Sequence, residues 1–334
     1  MTQRIRPYPR FVAWSVRRLE AGATPAVVDV FTRSRAGAMP WLPVLHTSEE
    51  DAAYFTAQIA TSQAWGVLDG PALVGFAVGR GDWLDHLYVH PDWQGRGVGS
   101  TLLEHVWAQT DGGLQLWAFQ ANVAALDFYR RHGFEVVEST DGSGNEERTP
   151  DVRMQRGVLV RPARPADAEA LADVHVRSWR AGYAGLVPDE VLAGLDVQKR
   201  ARLWGTRLVE PEPRILVADT GTAVVGFVSH GPARDEDLQA QAGRWWEVYA
   251  LYVAPEWWGN GVGGRLWRAA AEAAPPGACC RCVWVLAGNA RGRAAYGAWG
   301  LAPDGATTTW ESGSGGLPEV RYVRCDGVDG HEGA

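Results

Sequence analysis

The stretch at 87–99, LYVHPDWQGRGVG, returns 164 positions later as LYVAPEWWGNGVG at 251–263, with nine of the thirteen positions identical. Such a repeat restricts the fold before any propensity is weighed, because both copies must serve the same structural context. Their surroundings correspond as well. Ahead of each copy stands a pair of apolar strands joined by a turn: 65–68 and 72–78 across DGP, then 215–218 and 223–228 across DTGT. Behind each come a helical pattern (98–109 and 262–273) and a short apolar strand (LQLWAF at 114–119, CVWVL at 282–286). A second helix then opens at Asn122 or Asn289, and closing apolar segments follow, 134–137 and 320–323 among them. The chain has 334 residues, more than a single core of roughly 100–200 residues holds. The expected domains are 10–157 and 158–326, with 327–334 a disordered tail.

Charge narrows the partners. The formal net charge is −7, from 32 Lys and Arg against 39 Asp and Glu, whereas affinity for a phosphate backbone comes from clustered cations. No nucleic-acid partner is expected. Hydrophobic residues make up 46% and charged ones 21%, interspersed as in a soluble globular protein. The opening MTQRIRPYPRFVAW has arginines with no apolar run behind them, and no stretch reaches membrane length. The expected location is cytoplasmic, with no membrane partner. Three of the four cysteines fall in CCRC at 279–282, and the fourth is Cys325. That spacing lacks the paired C-x-x-C of a tetrahedral thiolate site, so no metal is expected and the cysteines are read as reduced, buried thiols.

In the first copy a strand, LDHLYV, runs into PDWQGRGVG and on into a helix. Gly95, Gly97 and Gly99 let the backbone curl, and the first helical turn leaves N–H groups unpaired with a partial positive charge, a setting suited to phosphate or pyrophosphate. A Walker A loop would need Lys and Ser or Thr after its last glycine, and neither half has that pair. GNGVGG in the second half matches G-x-G-x-x-G at Gly259, Gly261 and Gly264, but the first half has Ser100 at the last position. The early strand and the acidic ribose-binding residue of a dinucleotide site are also missing.

Gln94, Gly97 and Gly99, in the pattern Q-x-x-G-x-G after L-Y-V-x-P, resemble motif A of the GNAT superfamily of N-acetyltransferases. Asn122, Tyr129, Gly133 and Phe134 are similar to its motif B, as are Asn289, Tyr296, Gly300 and Leu301; the Asn-to-Tyr interval is seven and the Tyr-to-Gly interval four in both halves. The resemblance covers most of the chain. It implies an α/β (α+β) class with two tandem GNAT folds, each a mixed, mostly antiparallel sheet, splayed between its fourth and fifth strands and flanked by helices. It further implies acetyl-CoA, or another acyl-CoA, as co-substrate in the splay. The pantetheine would run along Leu87, Tyr88 and Val89, or along Leu251, Tyr252 and Val253. Gln94, Gly95, Arg96, Gly97, Val98 and Gly99 would hold the pyrophosphate in one half. In the other, Gly259, Asn260, Gly261, Val262, Gly263 and Gly264 would do so, and Asn122 and Asn289 complete the cofactor-binding sets.

Attack of an amine on a thioester requires a neutral amine, a polarised carbonyl and a proton for the departing thiolate. Seven residues are nearly two helical turns, so the Asn and Tyr of motif B share a face about 10 Å apart. Asn can cap the helix while Tyr reaches the sulfur. The resemblance thus implies Tyr129 and Tyr296 as general acids; the other reading of each is a core tyrosine. Asp85 and Glu247 precede the L-Y-V segments by an even number of positions and are expected on one strand face with Leu87 or Leu251. There each carboxylate would accept the amine proton through water, or only order solvent. His86, His90, His105 and His132 are expected at loop or helix-end positions as solvated or capping residues. The apolar connections GAMPWLPVLH and WRAGYAGLVP are candidates to wall an acceptor pocket. Glu146, Glu147, Asp151, Glu311 and Glu319 in the closing turns are candidates to attract an amine.

The expected activity is acyl-CoA-dependent N-acyl transfer, most simply acetyl transfer to an amine of a small molecule or peptide by direct attack in a ternary complex. Two alternatives stay open. One is a longer acyl donor, carried by CoA or an acyl carrier protein, in natural-product biosynthesis or self-resistance. The other is a non-catalytic acyl-CoA-binding scaffold or sensor in one or both halves. The second half departs from the pattern at Trp258 for Gln94, Asn260 for Arg96 and GL for GF. Losing Arg96 is expected to weaken phosphate binding while leaving main-chain contacts in place.

Overall fold

The computed structural model describes residues 14–241, 244–311 and 315–325; the tail expected at 327–334 lies outside them. The chain divides into two compact units, Met1–Gly157 and Val158–Ala334, each built on one seven-stranded sheet.

In the first unit β1 (Val16–Arg18), α1 (Thr24–Ala38) and α2 (Ser48–Thr61) lead into the meander β2 (Gln63–Asp69), β3 (Ala72–Arg80) and β4 (Trp83–Val89). Then come α3 (Val98–Trp107), β5 (Gly113–Phe119), α4 (Val123–Arg131), β6 (Glu135–Ser139) and β7 (Asp151–Gly157). The spatial order is β1-β2-β3-β4-β5-β7-β6, antiparallel throughout except for the parallel pair β4–β5.

The second unit begins with β8 (Leu159–Pro162), α5 (Ala168–Gly182), α6 (Asp189–Ala193), α7 (Val197–Arg207), β9 (Arg214–Asp219), β10 (Val224–Pro232) and α8 (Glu236–Gln239). It ends with β11 (Trp245–Val253), α9 (Val262–Glu272), β12 (Cys280–Leu286), α10 (Ala290–Ala298), β13 (Ala302–Glu311) and β14 (Gly316–Cys325). Its order, β8-β9-β10-β11-β12-β14-β13, follows the same path.

Each sheet buries both faces, which is why its central strands read as unbroken apolar runs and not as alternation. On one face of the first sheet, Val98, Leu102 and Leu103 of α3 pack on Leu84, Leu116 and Met154. On the other, Val27, Val30 and Phe31 of α1 and Phe55 of α2 pack on Phe76 and Val78. The second unit repeats this, with α9 over Val228, Val248 and Val283 and α5 and α7 over Val217 and Phe227. Local signals place the helix starts. Thr47 and Glu50 form a reciprocal capping box at α2, and Asn122, Asp196 and Asn289 cap α4, α7 and α10.

The cysteine expectation needs correction. Cys280 and Cys325 form a disulfide across 45 residues, while Cys279 and Cys282 are free. The two partners are directly opposed in the antiparallel register of β12 and β14, a proximity that linear spacing does not reveal.

One core position differs in kind between the units. Phe31 and His175 occupy the same place in α1 and α5, each packed on the tyrosine of the L-Y-V segment, at 5.0 Å from Tyr88 and 4.8 Å from Tyr252. Neither ring nitrogen of the buried His175 has a hydrogen-bond partner. Burial, then the charges of Arg200 and Arg207, push its pKa down to about 3. A histidine held neutral in the fold takes up a proton more readily unfolded, so its contribution is intact above the unfolded pKa and lost as pH falls from there toward the folded value. His175→Phe is expected to reduce the stability lost between pH 6.5 and 5 by about 1–2 kcal/mol, measured by urea denaturation of the full chain at each pH.

Candidate functional site

The candidate site in each unit begins where two parallel strands part. β4 and β5 share one registered pair, Trp83 with Gln115; β11 and β12 share four, from Trp245 with Cys280 to Val248 with Val283. Beyond these points β5 stays paired with β7 along its whole length, and β12 with β14. The edge of β4 after Trp83, and that of β11 after Val248, therefore has no ladder partner among the described residues. Unpaired main-chain donors and acceptors form an edge that an extended, amide-bearing chain can join.

These edges run into the Gly-rich turns. Gly95 and Gly97 have φ of 71° and 86°, Gly259 and Gly261 of 81° and 76°, values that side-chain-bearing residues seldom adopt. Gly97 and Gly261 are the N-caps of α3 and α9, leaving the first-turn N–H groups pointing outward from the helices. The third glycine also has a packing task. Gly99 and Gly263 lie inside the helices, where a Cβ would come within 3.4 Å of Phe128 or 3.3 Å of Trp299; they let the motif A helix approach the motif B helix. The Gln-to-Trp difference is also resolved. Gln94 Nε2 donates to the Val89 carbonyl at 3.2 Å, and Trp258 Nε1 donates to the equivalent Val253 carbonyl at 2.7 Å. Two unlike side chains pin the turn by one bond.

Tyr129 and Tyr296 are buried on α4 and α10. Burial pushes both phenols well above their ordinary pKa, with Tyr88 adding to the effect at Tyr129 and Tyr183 at Tyr296. Each is a proton-bearing phenol at neutral pH. Asn122 and Asn289 spend their side-chain oxygens capping these helices, accepting from Ala125 N at 3.2 Å and Gly292 N at 2.9 Å. Tyr88 is pushed up to about 12 by burial.

The carboxylates depart from expectation. The β3–β4 register skips Asp85, and the β10–β11 register skips Tyr249. These are bulges at equivalent positions, so residue parity breaks there. Glu247 thus lies on the face opposite Leu251, and the 164-residue offset matches it with Trp83, not Asp85. Asp85 is exposed, and desolvation raises its pKa against the opposing pull of Arg80. Glu247 is 1% exposed and ion-paired to Arg234, whose main-chain N–H also donates to it at 3.0 Å. The two are not counterparts.

His90 and His132 fit the capping reading: His90 Nδ1 accepts from Asp92 N, and His132 bridges the Phe128 carbonyl and Ser100 Oγ. His86 does not. It sits on β4, 2.9 Å from the Tyr54 hydroxyl, and burial lowers its pKa to about 4. His105 lies within α3 against Trp65.

The connection after α1 does wall a cavity, of about 330 Å³, lined by Phe31, Arg35, Met39, Leu42, Leu45 and His46 among others. Arg35 reaches Glu147 at 3.0 Å and His46 reaches Glu146 at 3.1 Å, tying the cavity wall to the closing turn. In the second unit this place is aromatic. Trp179 meets Trp310 at 5.5 Å and Tyr183 at 4.8 Å, and burial raises the pKa of Tyr183, with the charge of Glu319 adding to it. Trp179 and Tyr183 lie in the WRAGYAGLVP connection expected to wall a pocket, whereas sequence reasoning missed Arg35, Tyr54 and Arg234, none of which falls within a motif; the helix positions shared by Arg35 and Trp179 become visible only when α1 and α5 are aligned. Among the described residues there is no group of three or more potential metal ligands, and no helix is long and apolar enough to cross a membrane.

Residues 60–136 match the sequence profile of the acetyltransferase (GNAT) domain, and residues 174–301 that of the acetyltransferase (GNAT) family. The uncharacterized N-acetyltransferase YuaI of Bacillus subtilis (strain 168) is 34% identical over 134 residues, covering 40% of this chain and 73% of that protein. The peptidyl-lysine N-acetyltransferase YiaC of Escherichia coli (strain K12) is 26% identical over 124 residues, 37% of this chain and 84% of that protein. A mycothiol acetyltransferase of Parafrankia sp. (strain EAN1pec) is 30% identical over 226 residues, 59% of this chain and 66% of that protein.

The ion pair between buried Glu247 on β11 and the exposed Arg234 after β10 can be tested by itself. Arg234→Ala, which leaves the Glu247 carboxylate with the main-chain N–H of residue 234 but without the guanidinium, is expected to cost about 1–2 kcal/mol in urea denaturation. Adding Glu247→Gln is expected to recover part of that loss, and strict additivity of the two changes would contradict the pairing.

Proposed function

The chain belongs to the GNAT family of acetyltransferases in both of its halves, and from that premise we propose that it transfers an acetyl group from acetyl-CoA to an amine within a ternary complex. The observation that carries this reading is the convergence, in each half, of a free strand edge, a positive-φ glycine turn and a buried, protonated tyrosine. The pantetheine amides join the free edge of β4 or β11, and the pyrophosphate rests on the first-turn N–H groups of α3 or α9.

Within the first half the acceptor nitrogen attacks the thioester carbon, a C–N bond forms, and the C–S bond breaks. Tyr129 gives its proton to the departing thiolate. Asp85 takes the amine proton through water, its desolvation making it a better base than a fully hydrated carboxylate. The second half keeps Tyr296, but Glu247 is neutralised by Arg234, so turnover there is the slower. We assign donor binding to both halves and the greater share of catalysis to the first.

The acceptor is a small-molecule amine or an amine-bearing side chain of a peptide. The cavity behind α1 has room for one such group and carries Glu146 and Glu147 at its rim. The names of the relatives span both acceptor kinds, mycothiol acetyltransferase on one side and peptidyl-lysine N-acetyltransferase on the other.

Tyr129→Phe is expected to lower kcat about 10²- to 10⁴-fold in a thiol-release assay over an amine panel, with acetyl-CoA affinity by calorimetry retained. Tyr296→Phe should lower total turnover less. Full turnover in both variants and in their combination would remove the tyrosines from the mechanism, and acetyl-CoA binding with no turnover in the unaltered chain would leave an acyl-CoA sensor.

A further inference from the structure

Trp258 and Asn260 stand where the first half has Gln94 and Arg96, and a third difference accompanies them. Arg291, in the first turn of α10, holds its guanidinium carbon 3.9 Å from the centroid of the Trp258 ring. Counted from Asn122 and Asn289, the corresponding residue of α4 is Ala124. In the first half the guanidinium beside the turn belongs to Arg96 itself, 4.8 Å from the Trp93 ring. Both halves thus lay one arginine on one tryptophan next to the glycine turn, but they draw it from different elements.

The platform is fixed. Trp258 Nε1 is held by the Val253 carbonyl, and the far edge of the indole packs at the end of α5, 3.9 Å from where a Cβ on Gly182 would stand. Stacking leaves the N–H edges of a guanidinium available to an anion, and among the described residues no carboxylate is paired with Arg291. Arg293, two positions further along the same helix, is spent instead on the Tyr322 hydroxyl and the Ala287 carbonyl. Trp258 follows β11 and Arg291 follows β12, so the stack bridges the two limbs of the splay at its mouth.

We propose that Arg291, seated on Trp258, is the phosphate-binding cation of the second donor site, replacing Arg96. This rests on the acyl-CoA reading above. A pyrophosphate on the Gly259–Gly261 turn meets main-chain N–H groups from α9 on one side and the guanidinium from α10 on the other. The loss of Arg96 is therefore offset, and the second half retains donor affinity despite its departure from the family pattern.

The test uses the full chain with the first turn disabled by Gly97→Val, a β-branched residue being excluded at a φ of 86°. Calorimetry is run with CoA and with pantetheine, which lacks the phosphates. Arg291→Ala is expected to weaken CoA binding about tenfold to a hundredfold while leaving pantetheine affinity unchanged, and adding Asn260→Arg should restore part of the loss. Unchanged or tighter CoA binding overturns the proposal, a tighter one marking the stack as a latch across the slot. Equal loss for CoA and pantetheine also overturns it, showing a structural role alone. Absence of CoA binding in the Gly97→Val parent, with thermal unfolding showing it folded, would instead remove the donor reading for this half and the proposal with it.

Discussion

The partition of hydrogen bonds around one strand governs everything else in each unit. β5 and β12 commit their full length to an antiparallel partner, β7 or β14, and can share only the beginning of their course with the parallel neighbour. The sheet therefore opens, and a strand buried among apolar side chains is left with main-chain groups that only a ligand or water can satisfy. The motif A turn and the motif B helix are the continuations of the two limbs of that opening, which is why their residues, distant in sequence, face a common space.

The two units share this frame and differ in what they hang on it. At the end of the first long helix, the ion pair of Arg35 with Glu147 beside an open cavity gives way to Trp179 against Trp310. At the core position beneath, phenylalanine gives way to a histidine kept neutral by burial. Around the turn, Gln94 and Trp258 make the same bond with different chemistry. The two units keep the backbone and the geometry of the Gly-rich turn while the side chains around the end of α1 and α5 differ.

Much of this was legible in the sequence. Strand and helix order, the turns and the paired motif B residues follow from short-range spacing, and the splayed sheet from the family resemblance those motifs carry. The carboxylates show where such reasoning stops. Their expected placement on one face with Leu87 or Leu251 assumed unbroken alternation along the strand, and a bulge at Asp85 and at Tyr249 cancels it. A bulge depends on how the neighbouring strand is registered, and one strand's sequence does not encode that alone. The same applies to Cys280 and Cys325, whose pairing depends on the register of β12 against β14.

By itself, then, the sequence determined the twofold architecture and the form of its Gly-rich turns, because a turn that needs positive φ favours glycine and a helix start favours a short polar cap, here asparagine, each at a fixed local interval. Only the tertiary structure decided the roles of individual charges. Whether Glu247 is a base or half of an ion pair, and whether a missing Arg96 leaves the second turn uncharged, depends on residues 13 positions upstream, at Arg234, and 31 positions downstream of Asn260, at Arg291. Electrostatic interactions act through space, and the distances that set them exist only once the chain has folded.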